Sequence, residues 1–113
     1  MQREHKVYLE DILTSIEKIE RYLKGISYKK FSKDSMICDA VIRNLEVIGE
    51  ATKNVSLDIK KEYKDIEWKK ISGLRDILIH AYFGIDLKIV WDIVTNKLPE
   101  LKKLIKVMMR NIK

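Results

Sequence analysis

Arg75, His80 and Tyr82 fall close together in the segment Gly73 to Asp86 (GLRDILIHAYFGID), and no other stretch of the chain gathers as much potential chemistry. Arginine carries a permanent cation. Histidine titrates near neutral pH and can give or take a proton. Phosphate-ester chemistry needs such a pair, one group to hold the phosphate and one to move protons. His80 is one of two histidines; the other, His5, lies near the N-terminus. On an ideal helix Arg75 and His80 point roughly 140° apart with about 7.5 Å of rise, so they do not share a face. The long arginine side chain can reach back, or the pair can meet across a dimer axis. Arg75 and Tyr82 lie within about 20° of each other if the helix persists. Asp76 and His80 are one turn apart, close enough for the carboxylate to orient the imidazole and favour its charged form. Physics alone favours a blander alternative, a capping or salt-bridge cluster near a helix C-terminus, where cations are welcome. Tyr82 taken alone fits a core or interface position with its hydroxyl satisfied.

The elements that must position this segment are helical. Tyr8, Ile12, Ile16, Ile19 and Leu23 recur at spacings of four, four, three and four, one face of an amphipathic helix. Glu17 with Arg21 and Glu20 with Lys24 are spaced for ion pairs on its wetter side. Gly25 is a stop signal. A second helix is expected after a cap at Ser32 or Asp34, with Ile37, Val41, Leu45 (or Asn44), Ile48, Ala51 and Val55 inward. Gly49 inside it costs about 1 kcal/mol against alanine. A close approach by another helix or another chain would explain it. Leu57 to Tyr63 predicts a short helix or turn. Ile66 to Ala81 predicts a third main helix through Ile71, Leu74 and Leu78, ended by Gly84. Asp86 then caps a last helix with Leu87, Val90, Trp91 and Val94 inward, and Leu98, Leu101, Ile105, Met108 and Ile112 continue its face. Pro99 interrupts it, giving either one kinked helix or two joined near Lys97. No segment alternates as a strand would. The expected fold is all-α, an antiparallel bundle of four or five helices.

At 113 residues the chain is expected to be one domain, residues 1–113. Hydrophobic content of 46% excludes a disordered class. The first twenty residues are charged and lack an apolar core, so no signal peptide is expected. No apolar run is long enough for a membrane span. Cys38 is alone and can form neither an intrachain disulfide nor a metal cluster. These features point to the cytoplasm. The net charge of +6 is compatible with nucleic acid, but the lysines are scattered and read first as a solvated surface. Abundant Ile, Lys and Glu would suit a heat-adapted protein or an AT-rich genome. Trp68 and Trp91 are in phase with the apolar stripes and are expected in the core. Glu46 and Glu50 are one turn apart, but no His or Asp joins them in sequence, so a solvated or interfacial face is the better reading. No metal or cofactor site is expected.

Arg75 to His80 resembles the R-x(4–6)-H motif of HEPN-domain ribonucleases. Gly73 to Tyr82, followed by Ile85, Asp86, Val90 and Trp91, more specifically resembles the HepT subfamily with its R-x4-H-x-Y signature. Supporting matches are Tyr8 to Ile12 (YLEDI), Arg43 to Ala51 (RNLEVIGEA), Trp68 with Ile71, and Leu98 and Pro99 with Leu101. The resemblance spans essentially the whole chain. It implies a HEPN bundle that dimerises and brings two motifs to a shared cleft. It further implies a metal-independent endoribonuclease acting as the toxin of a type VII (HepT/MntA) toxin–antitoxin pair. Arg75 and His80 would be catalytic, with Asp76 and Tyr82 in support. The implied partners are an RNA substrate, a second copy of the chain, and an MntA-type minimal nucleotidyltransferase that attaches AMP to Tyr82. The rival implied by the same superfamily is a non-catalytic helical HEPN binding module that partners a nucleotidyltransferase.

Overall fold

The computed structural model describes residues 2–74, 76, 78 and 86–111, with side chains from Lys6 onward. Every element among them is helical. Helix α1 (Gln2–Leu23) places Leu9, Ile12, Ile16 and Ile19 fully inside, while Tyr8 and Leu23 pack at the edge of the core. Gly25 follows with φ +72°, a backbone region that side-chain-bearing residues rarely enter, and this turns the chain.

A short helix, α2 (Tyr28–Lys33), comes next and is absent from the sequence expectation. Its six residues offer one apolar turn, too few to display a period. Ser27 caps it, its hydroxyl accepting from the Lys30 N–H at 3.2 Å. Phe31 is fully buried and its ring lies 5.3 Å from that of Trp91, with Tyr28 edge-on to Trp91 at 5.8 Å. Aromatic burial therefore holds a helix that its own length would not.

Of the two caps expected for the next helix, Asp34 is the one used. Its carboxylate accepts from the Ile37 N–H at 3.1 Å and opens α3 (Ser35–Asn54). Ser32 lies inside α2 and donates to the Lys29 carbonyl. Helix α3 buries Val41, Ile48 and Ala51 as expected and both of the alternatives Leu45 and Asn44, together with Cys38, Ile42 and Thr52, while Ile37 is only half-buried. Tyr8 and Asp11 near the start of α1 share a groove with Glu50 and Asn54 near the end of α3, so the two helices run antiparallel. Ser56 caps the short α4 (Leu57–Glu62), which supplies Ile59 to the core.

The expected third helix is divided. Ile66 is buried in a turn, α5 (Trp68–Ser72) begins later, and Gly73 closes it with its N–H on the Lys69 carbonyl at 3.0 Å. Leu74, Asp76 and Leu78 resume helical conformation. Glycine's poor helix propensity allows the turn there. Trp68 is buried, its indole N–H donating to the Tyr63 carbonyl at 3.0 Å. The end expected at Gly84 and the inward Ile112 lie outside the described residues.

Asp86 caps α6 (Leu87–Asp92) as expected, its carboxylate accepting from the Lys88 N–H at 3.0 Å. A π-helical turn (Ile93–Lys97) then leads into α7 (Leu98–Asn111) with helical backbone angles throughout. Of the two expected arrangements, continuity holds. Pro99 has no N–H, and its ring would press on the Thr95 carbonyl in a regular α turn. The wider turn just before it relieves that clash. The expected Glu20 to Lys24 pair is not formed; Glu20 instead meets Lys102 at 2.8 Å, which ties the end of α1 to α7. Buried residues of α1, α3, α5, the 74–78 stretch and the α6–α7 run form one hydrophobic cluster. No helix among the described residues is long and apolar enough to cross a membrane.

Candidate functional site

The two sides of the motif segment are held firmly. On its N-terminal side Leu74 and Leu78, one turn apart, are both buried in the core. Asp76, between them and on the opposite side of the helix, is exposed. This stretch lies against α3 at Gly49. A Cβ at Gly49 would stand 3.3 Å from the Ile71 carbonyl and 3.7 Å from the Leu74 Cβ. Of the two explanations for that glycine, a close helix–helix approach within the chain is the one observed. On its C-terminal side the segment ends at the Asp86 cap, with Val90 fully buried one turn later. Arg75, His80 and Tyr82 lie outside the described residues, so of the four expected site residues only Asp76 is placed.

A polar groove of about 480 Å³ opens between α1 and α3. Arg43, Glu46, Glu50 and Asn54 line one wall at spacings of three, four and four, and Tyr8 and Asp11 line the other. The helical spacing was visible in the sequence, but the arrival of Asp11 and Tyr8 from another helix was not. Asp11 is the acid that sequence spacing did not bring to Glu46 and Glu50. No group of three potential ligands close enough to hold a metal is found among the described residues. Cys38 is buried, its thiol within 3.1 Å of the Phe31 carbonyl. Burial, then the charges of Asp39 and Asp34, push this thiol above its ordinary range, so it is a poor nucleophile.

A second groove, about 310 Å³ and mostly apolar, runs between α5 and the α6–α7 helix. Ile71 and Leu74 form part of its floor, directly ahead of Arg75. Its rim carries both signs of charge, with Lys70 and Glu67 paired at 2.7 Å. That contact, reinforced by the charge of Lys70, holds the Glu67 carboxyl below its usual range.

The sequence profile described as "Ribonuclease HepT-like" matches residues 12–108. The chain belongs to the HepT-like family. It is 46% identical to "Probable ribonuclease HepT" of Thermococcus cleftensis, over 90% of this chain and 93% of that protein. It is 42% identical to a "Putative RNase" of Caldanaerobacter subterraneus subsp. tengcongensis, over 88% of each chain. A longer protein of Methanocaldococcus jannaschii, named as a "Gamma-glutamylcyclotransferase and putative RNase", is 44% identical over 91% of this chain but only 46% of its own length. No solved structure matches the chain significantly.

Proposed function

We propose that this protein is a metal-independent endoribonuclease, a single HEPN-type domain over residues 1–113 that works as a homodimer in the cytoplasm. The observation that carries this reading is the R-x4-H-x-Y sequence from Arg75 to Tyr82 in a chain of the HepT-like family whose relatives are named as RNases. His80 takes the proton of a ribose 2′-hydroxyl, or returns one to the leaving 5′-oxygen. The 2′-oxygen attacks the adjacent phosphorus, the bond to the 5′-oxygen breaks, and the product carries a 2′,3′-cyclic phosphate. Arg75 holds the phosphate and offsets the charge that builds on it in the transition state. Asp76, exposed and four residues before His80 in sequence, orients the imidazole.

In this reading the protein is the toxin of a type VII module. A minimal nucleotidyltransferase of the MntA kind transfers AMP from ATP to the Tyr82 hydroxyl, forming a phosphodiester to tyrosine and releasing pyrophosphate. The added phosphate pairs with Arg75 and occupies the place of the RNA phosphate, so inhibition needs no refolding. RNA cleavage in EDTA tests the nuclease: wild type should cut, and Arg75→Ala and His80→Ala should each lose most of the rate. Equal cutting by all three would refute it, and binding without cutting would leave a helical binding module. Intact mass after incubation with the partner and ATP tests the switch. AMP should add to wild type and not to Tyr82→Phe.

A further inference from the structure

The C-terminal helical run carries two apolar stripes. The inner one, Val90, Val94, Leu98, Leu101, Ile105 and Met108, recurs at spacings of four, four, three, four and three and is buried. The same spacings begin one residue earlier at Ile89, Ile93, Lys97, Glu100, Leu104 and Val107. Three residues of this outer stripe face away from the core, Ile89 at 45% exposed, Leu104 at 37% and Val107 at 41%, while Ile93 is half-buried at the edge of the core. A surface helix of a lone domain needs one apolar stripe and keeps its other side polar. Alternating steps of three and four are the repeat of a helix–helix seam. Most of the outer stripe lines the apolar groove opposite α5, where the charge of Lys97 also acts on the Glu67 carboxylate, and among the described residues its exposed apolar side chains are left uncovered.

We propose that a second copy of this chain covers the outer stripe, its α6–α7 helix running antiparallel to the first across a two-fold axis between Lys97 and Glu100. An isologous contact sets residues equally far from the axis against one another. Lys97 then meets the partner's Glu100, and Glu100 meets the partner's Lys97. Ile93 lies four residues before Lys97 and Leu104 four residues after Glu100, so these two oppose each other. Ile89 falls beside Val107 at the outer end. The apolar residues pair with apolar ones and the two central charges with their opposites.

The charges select the occupant. Lys70 and Lys97 share the rim with Asp65, Glu67 and Glu100. A nucleic acid or a strongly basic partner would meet like charges there, whereas a two-fold copy meets complementary ones. A copy seated here also lies against Ile71 and Leu74, just ahead of the motif segment in sequence. The inference rests on the dimer in the proposed function and goes further by naming its surface.

Light scattering and sedimentation velocity on the full chain at micromolar concentration test it. Wild type should be a dimer. Leu104→Glu, at a part-exposed position that leaves far-UV helicity intact, should be a monomer. Lys97→Glu sets two like-charge pairs across the axis and should weaken the dimer at least about tenfold. The swap Lys97→Glu with Glu100→Lys restores opposite charges and should recover most of that loss. A dimer that survives Leu104→Glu, or a swap no tighter than Lys97→Glu alone, overturns this surface while leaving the dimeric nuclease standing. A monomeric wild type overturns both and leaves the stripe to a different protein.

Discussion

At Gly49 the backbone of α5 lies close against α3, and replacing this glycine tests whether that contact positions the motif. A Cβ there meets the Ile71 carbonyl oxygen at 3.3 Å and the Ser72 carbonyl oxygen at 3.7 Å. Both are backbone atoms, so no side chain can swing aside. Gly49→Ala gains about 1 kcal/mol of helix propensity. It loses a similar amount because α5 must retreat slightly, and the net change should stay within about 0.5 kcal/mol. Gly49→Val adds two further carbons on a stiff Cβ, at least one of which presses on α5. Overpacking of this kind costs about 1–3 kcal/mol, and valine is the weaker helix former. The expected loss is about 2 kcal/mol, or roughly 8 °C in Tm for a domain of this size.

Urea unfolding followed by tryptophan fluorescence measures this directly. Trp68 opens α5 and is buried, so its emission reports on the element being pushed. Ile71 to Leu74 lead into Arg75, so in the proposed nuclease Gly49→Val should also cut RNA more slowly well below its Tm. If Gly49→Val unfolds within about 0.5 kcal/mol of Gly49→Ala, α3 and α5 do not approach as closely as described.

Phe31→Ala should cost about 3–5 kcal/mol in urea unfolding, because it empties a fully buried ring site against Trp91. Asp86→Ala removes the carboxylate that accepts from the Lys88 N–H and should cost about 1 kcal/mol, while Asp86→Asn, which also caps well, should recover most of it. Cys38 sets a pH dependence. Its folded thiol stays protonated where the unfolded thiol ionises, so the folded state binds more protons and stability falls as pH rises above about 8.5. Cys38→Ala should flatten that alkaline loss in denaturation series; an identical slope would deny the burial effect.

The main elements were legible because long helices repeat their apolar spacing many times. Ile12, Ile16 and Ile19 of α1, and Val41, Leu45 and Ile48 of α3, are inside as their spacing predicts. Asp34 and Asp86 work as caps because a short acidic side chain before an apolar run has few other uses. Helix α2 was not legible, since six residues carry no period and its stability comes from Trp91, far along the chain. The break at Gly73 was missed for a related reason: the apolar spacing of Ile71, Leu74 and Leu78 runs across it, and periodicity alone does not register a local turn. Glu20 was assigned a local partner but takes Lys102, because helix spacing sees neighbours in sequence and not those brought by packing.

The candidate site divides along the same line. Gly73 to Tyr82 stands out in its residue types, but physics alone favours a capping or salt-bridge cluster there, and it is the resemblance to the R-x4-H-x-Y signature that carries the functional reading. Its surroundings depend on contacts between helices. The Gly49 contact could be anticipated as a close approach, but sequence could not say whether the neighbour was α5 or another chain. Asp11 joins Glu46 and Glu50 only through the antiparallel pairing of α1 and α3. The outer stripe of α6–α7 was concealed by its inner neighbour: two stripes one residue apart carry the same spacing, and a search for one buried face stops at the first. An apolar residue that the core does not use is visible only once the core is known, and Ile89, Leu104 and Val107 become candidates for an interface at that point.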